Sequence, residues 1–172
     1  MKLKIKIKVL TKGCEPVIID KGDWIDLKAA SDVKLKSSYG TKESEESKHF
    51  NVKHHKALIP LGVAMKLPDG FEAIVAPRSS SNAKFEIIQT NSLGVIDNSY
   101  QGNNDEWKMP ILTTGKCVIK KGDRICQFRI QLSQKATILQ KLKWLFSDGI
   151  ELEFVDNLSK EDRNGFGSTG IK

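Results

Sequence analysis

The chain is short of arginine and cysteine and has no long apolar run. None of its 172 residues fall in a stretch near the roughly 20 apolar residues that a membrane helix needs, so no membrane association is expected. The opening segment MKLKIKIKVL alternates lysine with apolar residues and lacks a continuous apolar h-region, which argues against a secretory leader. Three widely spaced cysteines (Cys14, Cys117, Cys126) exclude a disulfide framework and point to a reducing, cytoplasmic compartment. The net charge of +7 invites a nucleic-acid reading, yet only Arg78, Arg124, Arg129 and Arg163 carry guanidinium groups. Aromatic residues make up 7% and do not interleave with basic residues along a strand face, so no direct nucleic-acid contact is expected.

What is present is mostly period two. Hydrophobic residues make up 39%, enough for a core and against disorder throughout. Residues 3–9 place Leu3, Ile5, Ile7 and Val9 on one face and Lys4, Lys6 and Lys8 on the other. Further short runs at Val17–Ile19, Leu58–Leu67, Phe71–Ala76, Phe85–Gln89, Trp107–Thr113, Ile125–Leu132 and Ile150–Val155 are divided by Gly-, Asp- and Asn-bearing turns. The fold class expected is all-β, a barrel or jelly roll, with at most one or two short helices. Ser79–Lys84 reads as a short helix opened by a serine cap. Leu139–Phe146 reads as an amphipathic helix or as a continuation of the strands. Trp24 and Trp107 are expected to be mostly buried.

Residues 1–158 read as one domain and 159–172 as a polar, Gly-rich, flexible tail. Within the domain, residues 36–56 read as a polar loop holding His49, His54 and His55, and residues 133–156 as a second extended segment.

Four segments have the composition of a ligand site. Pro77-Arg78-Ser79-Ser80-Ser81 joins a stiff turn, a guanidinium and hydroxyls: an anion site, or a capped helix beside a surface arginine. In Asn91–Gly102, Asp97 either shapes an Asx-turn or orients a water, and Tyr100 either packs on the sheet or floors a sugar pocket. Gly122–Gln127 sets Asp123 and Arg124 within pairing reach and offers the Gln127 amide. Arg163–Gly170 places Phe166 among glycines with Ser168 and Thr169 after it, without the lysine or the strand-to-helix setting of a P-loop.

In this order, and with Asp23-Trp24-Ile25-Asp26-Leu27-Lys28-Ala29 as a first motif, the segments resemble the five motifs of the homotrimeric deoxyuridine triphosphatases (dUTPases). The first motif is similar to that of Firmicute and phage enzymes. The resemblance implies hydrolysis of dUTP to dUMP and pyrophosphate with Mg²⁺, a reaction that limits uracil in DNA and supplies dUMP for thymidylate synthesis. It also implies residue roles. Asp97 would activate the water and hold the 3′-hydroxyl, and Tyr100 would lie under the deoxyribose. Asn91, Gly94, Val95 and Ile96 would form the uracil hairpin, and Phe166 would cover the base. Arg78, Ser79, Ser80, Gln127, Arg163, Ser168 and Thr169 would contact phosphates. Asp26 would reach Mg²⁺ through water, and Asp123 and Arg124 would support their turn. The implied assembly is a homotrimer with shared sites, each closed by a tail.

Two readings stand beside this one. A dCTP deaminase of the same fold would use Glu86 as its nearest acid–base candidate. A nucleotide-gated regulator would bind a partner protein through the insertions at 36–56 and 133–156.

Overall fold

The lysine-alternating segment forms the middle strand of a sheet. In the computed structural model, which describes residues 1–42, 50–158, 161–163 and 165, β1 (Leu3–Val9) buries Leu3, Ile5 and Ile7 and exposes Lys4 and Lys6. The strands that follow are β2 (Val17–Ile18), β3 (Ile25–Lys28), β4 (Val33–Leu35), β5 (Tyr39–Lys42), β6 (Phe50–Lys53), β7 (Lys56–Pro60) and β8 (Val63–Lys66). After them come β9 (Phe71–Pro77), β10 (Ile87–Gln89), β11 (Gly94–Ile96), β12 (Lys108–Thr113), β13 (Cys117–Ile119), β14 (Arg124–Leu132) and β15 (Ile150–Phe154). Two short helices, α1 (Ser81–Phe85) and α2 (Ile138–Leu145), complete the described elements.

The largest sheet runs β11-β9-β14-β3-β2, and every pairing in it is antiparallel. A second sheet, β15-β1-β8, joins β15 to β1 in parallel, with Leu3 opposite Ile150. A third runs β10-β12-β7. Between the sheets Trp107 and Phe128 are fully buried and meet edge to face, with centroids 5.2 Å apart at 80°, a favoured aromatic geometry.

Several expectations change here. The apolar run Leu58–Leu67 is two strands in two sheets, broken at Gly62, whose φ is +69°. A Cβ there would lie 2.8 Å from Cys14 Cβ, so close packing and a left-handed backbone both require glycine. The polar stretch 36–56 is not simply a loop: β5 and β6 pair as a hairpin, with Tyr39 opposite Lys53; His49 lies outside the described residues. The segment 133–156 supplies α2 and β15. Thr137 opens α2 with a capping box to Gln140, and Trp144 on its inner side packs against Phe71 at 5.3 Å. Trp24 is only half-buried, with the Arg129 guanidinium 5.7 Å above its ring. All three cysteines are buried free thiols, and burial pushes their pKa values up.

Candidate active site

The adjacency of β3, β14 and β9 brings three of the sequence segments together. Gln127 stands opposite both Asp26 and Ala76, and Arg78 follows directly after β9. Asp26 has a side chain only 2% exposed, and both of its oxygens are used. Oδ1 pairs with Arg78 Nε at 3.0 Å, and Oδ2 accepts from an Arg124 guanidinium nitrogen at 3.1 Å. One buried carboxylate thus holds two partly exposed guanidinium groups, leaving an excess positive charge facing solvent, suited to an anion. The resemblance places Asp26 near Mg²⁺ through water; each of its oxygens accepts from one guanidinium group and retains a lone pair for a further hydrogen bond.

The neighbouring turn is held by the last residue of the Pro77–Ser81 motif, to which the sequence assigns no separate role. The Ser81 hydroxyl, 1% exposed, accepts from the Arg78 amide at 3.1 Å and donates to the Ile125 carbonyl at 2.7 Å. The expected serine cap is not made: Ser80 occupies the position before α1 without a side-chain capping bond, beside exposed Ser79. Gln127 donates to the Pro77 carbonyl at 3.4 Å, tying β14 to the turn. Asp123 accepts from the Lys120 amide at 2.8 Å and shapes the turn at Gly122, while Arg124 turns away to Asp26, so the adjacent pair does not form an ion pair.

The second cluster is built on β11. Its entry is tight: Ser92 has φ +56°, a conformation that non-glycine residues rarely adopt. Gly94 is buried, Val95 is exposed and Ile96 is half-buried. Asp97 accepts from the Ser99 amide at 2.8 Å and from the Ser99 hydroxyl, the Asx-turn geometry, while its other oxygen pairs with Arg163. Burial pulls the Asp97 pKa upward, but the Ser99 and Arg163 contacts outweigh it and hold the group below the usual carboxylate range. Asn98 fixes the same turn by donating to the carbonyls of Pro68 (2.9 Å) and Leu67 (3.3 Å).

Tyr100 is buried, donates to the Glu106 carbonyl at 2.9 Å, and has its pKa pushed up to about 12 by burial and then by Asp105 and Glu106. Gly165 lies against this ring, where a Cβ would come within 2.7 Å of Tyr100 Cε2. The described part of the tail is anchored beside it. The Arg163 amide donates to both Asp105 oxygens (3.0 and 2.9 Å), and Asp162 accepts from the Asn104 amide (2.8 Å). Phe166, Ser168 and Thr169 lie outside the described residues.

One chain does not unite the two clusters. Ile96 pairs with Ala73, and Arg78 lies five residues further along the chain from Ala73, which at 3.3 Å per residue is about 17 Å. Asp97 and Arg163 therefore sit towards one end of the sheet, and Arg78, Asp26 and Arg124 towards the other.

Glu86 and the two described histidines of 36–56 have other partners. Glu86 is not on a strand: it caps α1 at φ +53°, and its carboxylate accepts from the Thr114 hydroxyl at 3.1 Å. His54 Nδ1 lies 2.9 Å from the Ser38 hydroxyl, and His55 packs beside Tyr39. Among the described residues no three His, Cys, Asp or Glu side chains are placed to share a metal ion.

Besides Ser81, the sequence reading gave no role to Asn98, Asp105 or Gln89. Asn98 and Asp105 each stand in a turn where several polar residues compete, and only the three-dimensional partners single them out.

Residues 43–170 match the dUTPase family model. The chain is 44% identical over 171 residues to an SPbeta prophage-derived deoxyuridine 5'-triphosphate nucleotidohydrolase of Bacillus subtilis strain 168, covering 99% of this chain and all of that one. It is 38% identical over 119 residues to a deoxyuridine 5'-triphosphate nucleotidohydrolase of Finegoldia magna, covering 67% of this chain and 71% of the relative. Among solved structures, the dUTPase of Streptococcus mutans superposes with a TM-score of 0.60 at 20% identity, over 77% of this chain and 98% of that one. The dUTPase of Staphylococcus bacteriophage 80alpha does so with 0.58 at 21% identity, over 78% and 93%. The structural likenesses establish a shared fold, and the sequence matches go further: the chain belongs to the dUTPase family, in its phage-like branch.

Proposed function

We propose that the protein hydrolyses dUTP to dUMP and pyrophosphate by attack of water on the α-phosphorus, at sites assembled from more than one copy of the chain. The observation that carries this reading is the division of the motif residues into two complementary clusters. The two guanidinium groups on Asp26, with the Ser79–Ser80 turn and Gln127, bind phosphates. The β11 hairpin and Tyr100 bind base and sugar, and Asp97 takes a proton from water. In one chain the backbone of Arg78 lies about 17 Å along the strand from the residue opposite Ile96, so the two clusters sit apart on the sheet. Copies packed so that the β11 end of one meets the Arg78 end of another would close the gap, which supports the family's trimer. Phe166 from a tail would then cover the uracil, with Arg163, Ser168 and Thr169 on the terminal phosphate.

A magnesium ion bound to the triphosphate would neutralise phosphate charge. Asp26, at the centre of the phosphate cluster, would hold the ion's hydration shell through water. Three buried free thiols support a cytoplasmic setting. A regulatory second role finds support in α2, which exposes Ile138, Leu139 and Leu145, with Phe146 exposed just past its end.

Pyrophosphate release measured with dUTP, dCTP, dTTP and UTP tests the reaction and both pockets. Release from dUTP alone is expected. Ammonia and dUTP formed from dCTP would establish the deaminase instead.

Arg163 gives a pH prediction. In the free enzyme its guanidinium helps hold Asp97 below the ordinary carboxylate range, so the basic form persists as pH falls. Arg163→Ala removes one lowering contact, the Asp97 pKa rises, and the acid limb of kcat/KM moves to higher pH. A profile from about pH 4 to 8 reads the limb separately from any uniform loss of phosphate binding. A limb that stays in place would show that the pair does not persist in solution.

A further inference from the structure

We propose that Gln89 is a positioning residue for base selection, fixing which end of the Asn91 amide meets the base. The proposal rests on the dUTP reading above and assigns part of its specificity to a side chain that does not itself touch nucleotide.

Gln89 closes β10 and is only 4% exposed. Its amide nitrogen donates to the Val75 carbonyl at 3.1 Å and to Asn91 Oδ1 at 2.9 Å. The Val75 end sets the direction, because a backbone carbonyl only accepts. Turned the other way, Gln89 would press its oxygen against that carbonyl. With the nitrogen committed, its second hydrogen requires an acceptor from Asn91, so Asn91 offers Oδ1 inward and keeps its own NH₂ for the exposed hairpin. That nitrogen lies over the first residue of β11, where a Cβ on Gly94 would come 3.5 Å from it.

A second observation points the same way. Gln89 Oε1 is buried without a hydrogen-bond partner. The side chain is thus oriented by its donor end alone, and an unsatisfied buried oxygen in a native fold calls for an explanation. An apolar residue would fill the site without that penalty; only a residue with two amide hydrogens can join an acceptor on β9 to an acceptor on Asn91.

The consequence is chemical. Uracil presents carbonyl acceptors beside N3–H, whereas cytosine presents an amino group and a bare N3. The Asn91 NH₂ complements a uracil carbonyl and opposes the cytosine amino group, donor against donor. Val75, Gln89 and Asn91 therefore transmit the polarity of one backbone carbonyl to the base edge.

The test compares equilibrium binding of α,β-imido-dUTP and α,β-imido-dCTP by calorimetry in the full chain. Gln89→Glu keeps the shape but reverses the relay. A carboxylate has only acceptors, and a protonated carboxyl gives its single hydrogen to Val75, so either form turns Asn91 around. The dUTP-to-dCTP affinity ratio is expected to fall by about tenfold or more. Gln89→Met, which carries no amide, should shift the ratio towards that of Asn91→Ala. In an Asn91→Ala background Gln89→Glu should change the ratio no further.

If Gln89→Glu fails to fold, Gln89→Met decides. Variants that weaken both analogues by one factor would overturn the proposal, as would a ratio that still shifts in the Asn91→Ala background. A wild type that binds neither analogue and releases no pyrophosphate from dUTP overturns the underlying reading as well. A wild type active on dUTP with an unmoved ratio overturns this inference alone.

Discussion

Asp97→Asn is expected to keep dUTP bound while lowering turnover by a factor of about 10²–10⁴, the contribution typical of a positioned general base. The substitution is nearly isosteric. Its remaining carbonyl oxygen can still accept from the Ser99 amide, and Asn98 still fastens the turn to the Pro68 and Leu67 carbonyls. The hairpin before it, with Gly94 buried against Val75, is untouched, so the base pocket persists. What goes is basicity: a carboxamide cannot take a proton from water as the oxygen begins to bond to phosphorus. The loss should therefore fall on kcat, with KM little changed or lower, because the carboxylate's repulsion of the triphosphate also disappears. Single-turnover kinetics with dUTP, alongside binding of a non-hydrolysable analogue, separates the two. Turnover within a few-fold of wild type would remove Asp97 from this role.

The turn that carries Asp97 was legible in the sequence because its surroundings are local. Two apolar residues run into an Asx-turn, with an aromatic ring three residues on, and the five segments come in family order. The strands were legible for a similar reason: alternation over residues 3–9 is a property of neighbouring residues. What was not legible depends on partners far apart in the chain. Nothing near Asp26 announces that both its oxygens go to guanidinium groups 52 and 98 positions away. Nothing near Ile150 announces that it will lie parallel to Leu3. The break at Gly62 hides inside a continuous apolar run, because the deciding contact is with Cys14. The β5–β6 pairing escapes detection because polar residues dominate 36–56, and its one stretch of apolar alternation, Phe50 and Val52, is too short to signal a strand. Gln89 looks like one more strand residue until its amide is seen between two acceptors.

The separation of the two clusters leads to the second large effect. Arg78→Met removes one of the two guanidinium groups on Asp26 and with it the phosphate turn's main charge, so this variant, like Asp97→Asn, is expected to be nearly inactive alone. If each site takes Asp97 from one copy and Arg78 from another, unfolding and refolding the two dead variants together must restore activity. An Arg78→Met copy still carries Asp97, and an Asp97→Asn copy still carries Arg78. Random assembly from equal amounts gives each site the intact pair with a probability of about one quarter, so roughly a quarter of wild-type activity should return. Sites contained within one chain predict no recovery, because every copy would then be defective. The required control is the double variant refolded with wild type. Intact pairs again form in about a quarter of shared sites, whereas sites within one chain would keep about half the activity. The two mixtures together thus separate a composite site from a self-contained one, without a structure of the assembly. The geometry favours recovery: Arg78 lies beyond the end of β9, some 17 Å of backbone along the strand from the residue opposite Ile96, which sets the two clusters apart in one chain.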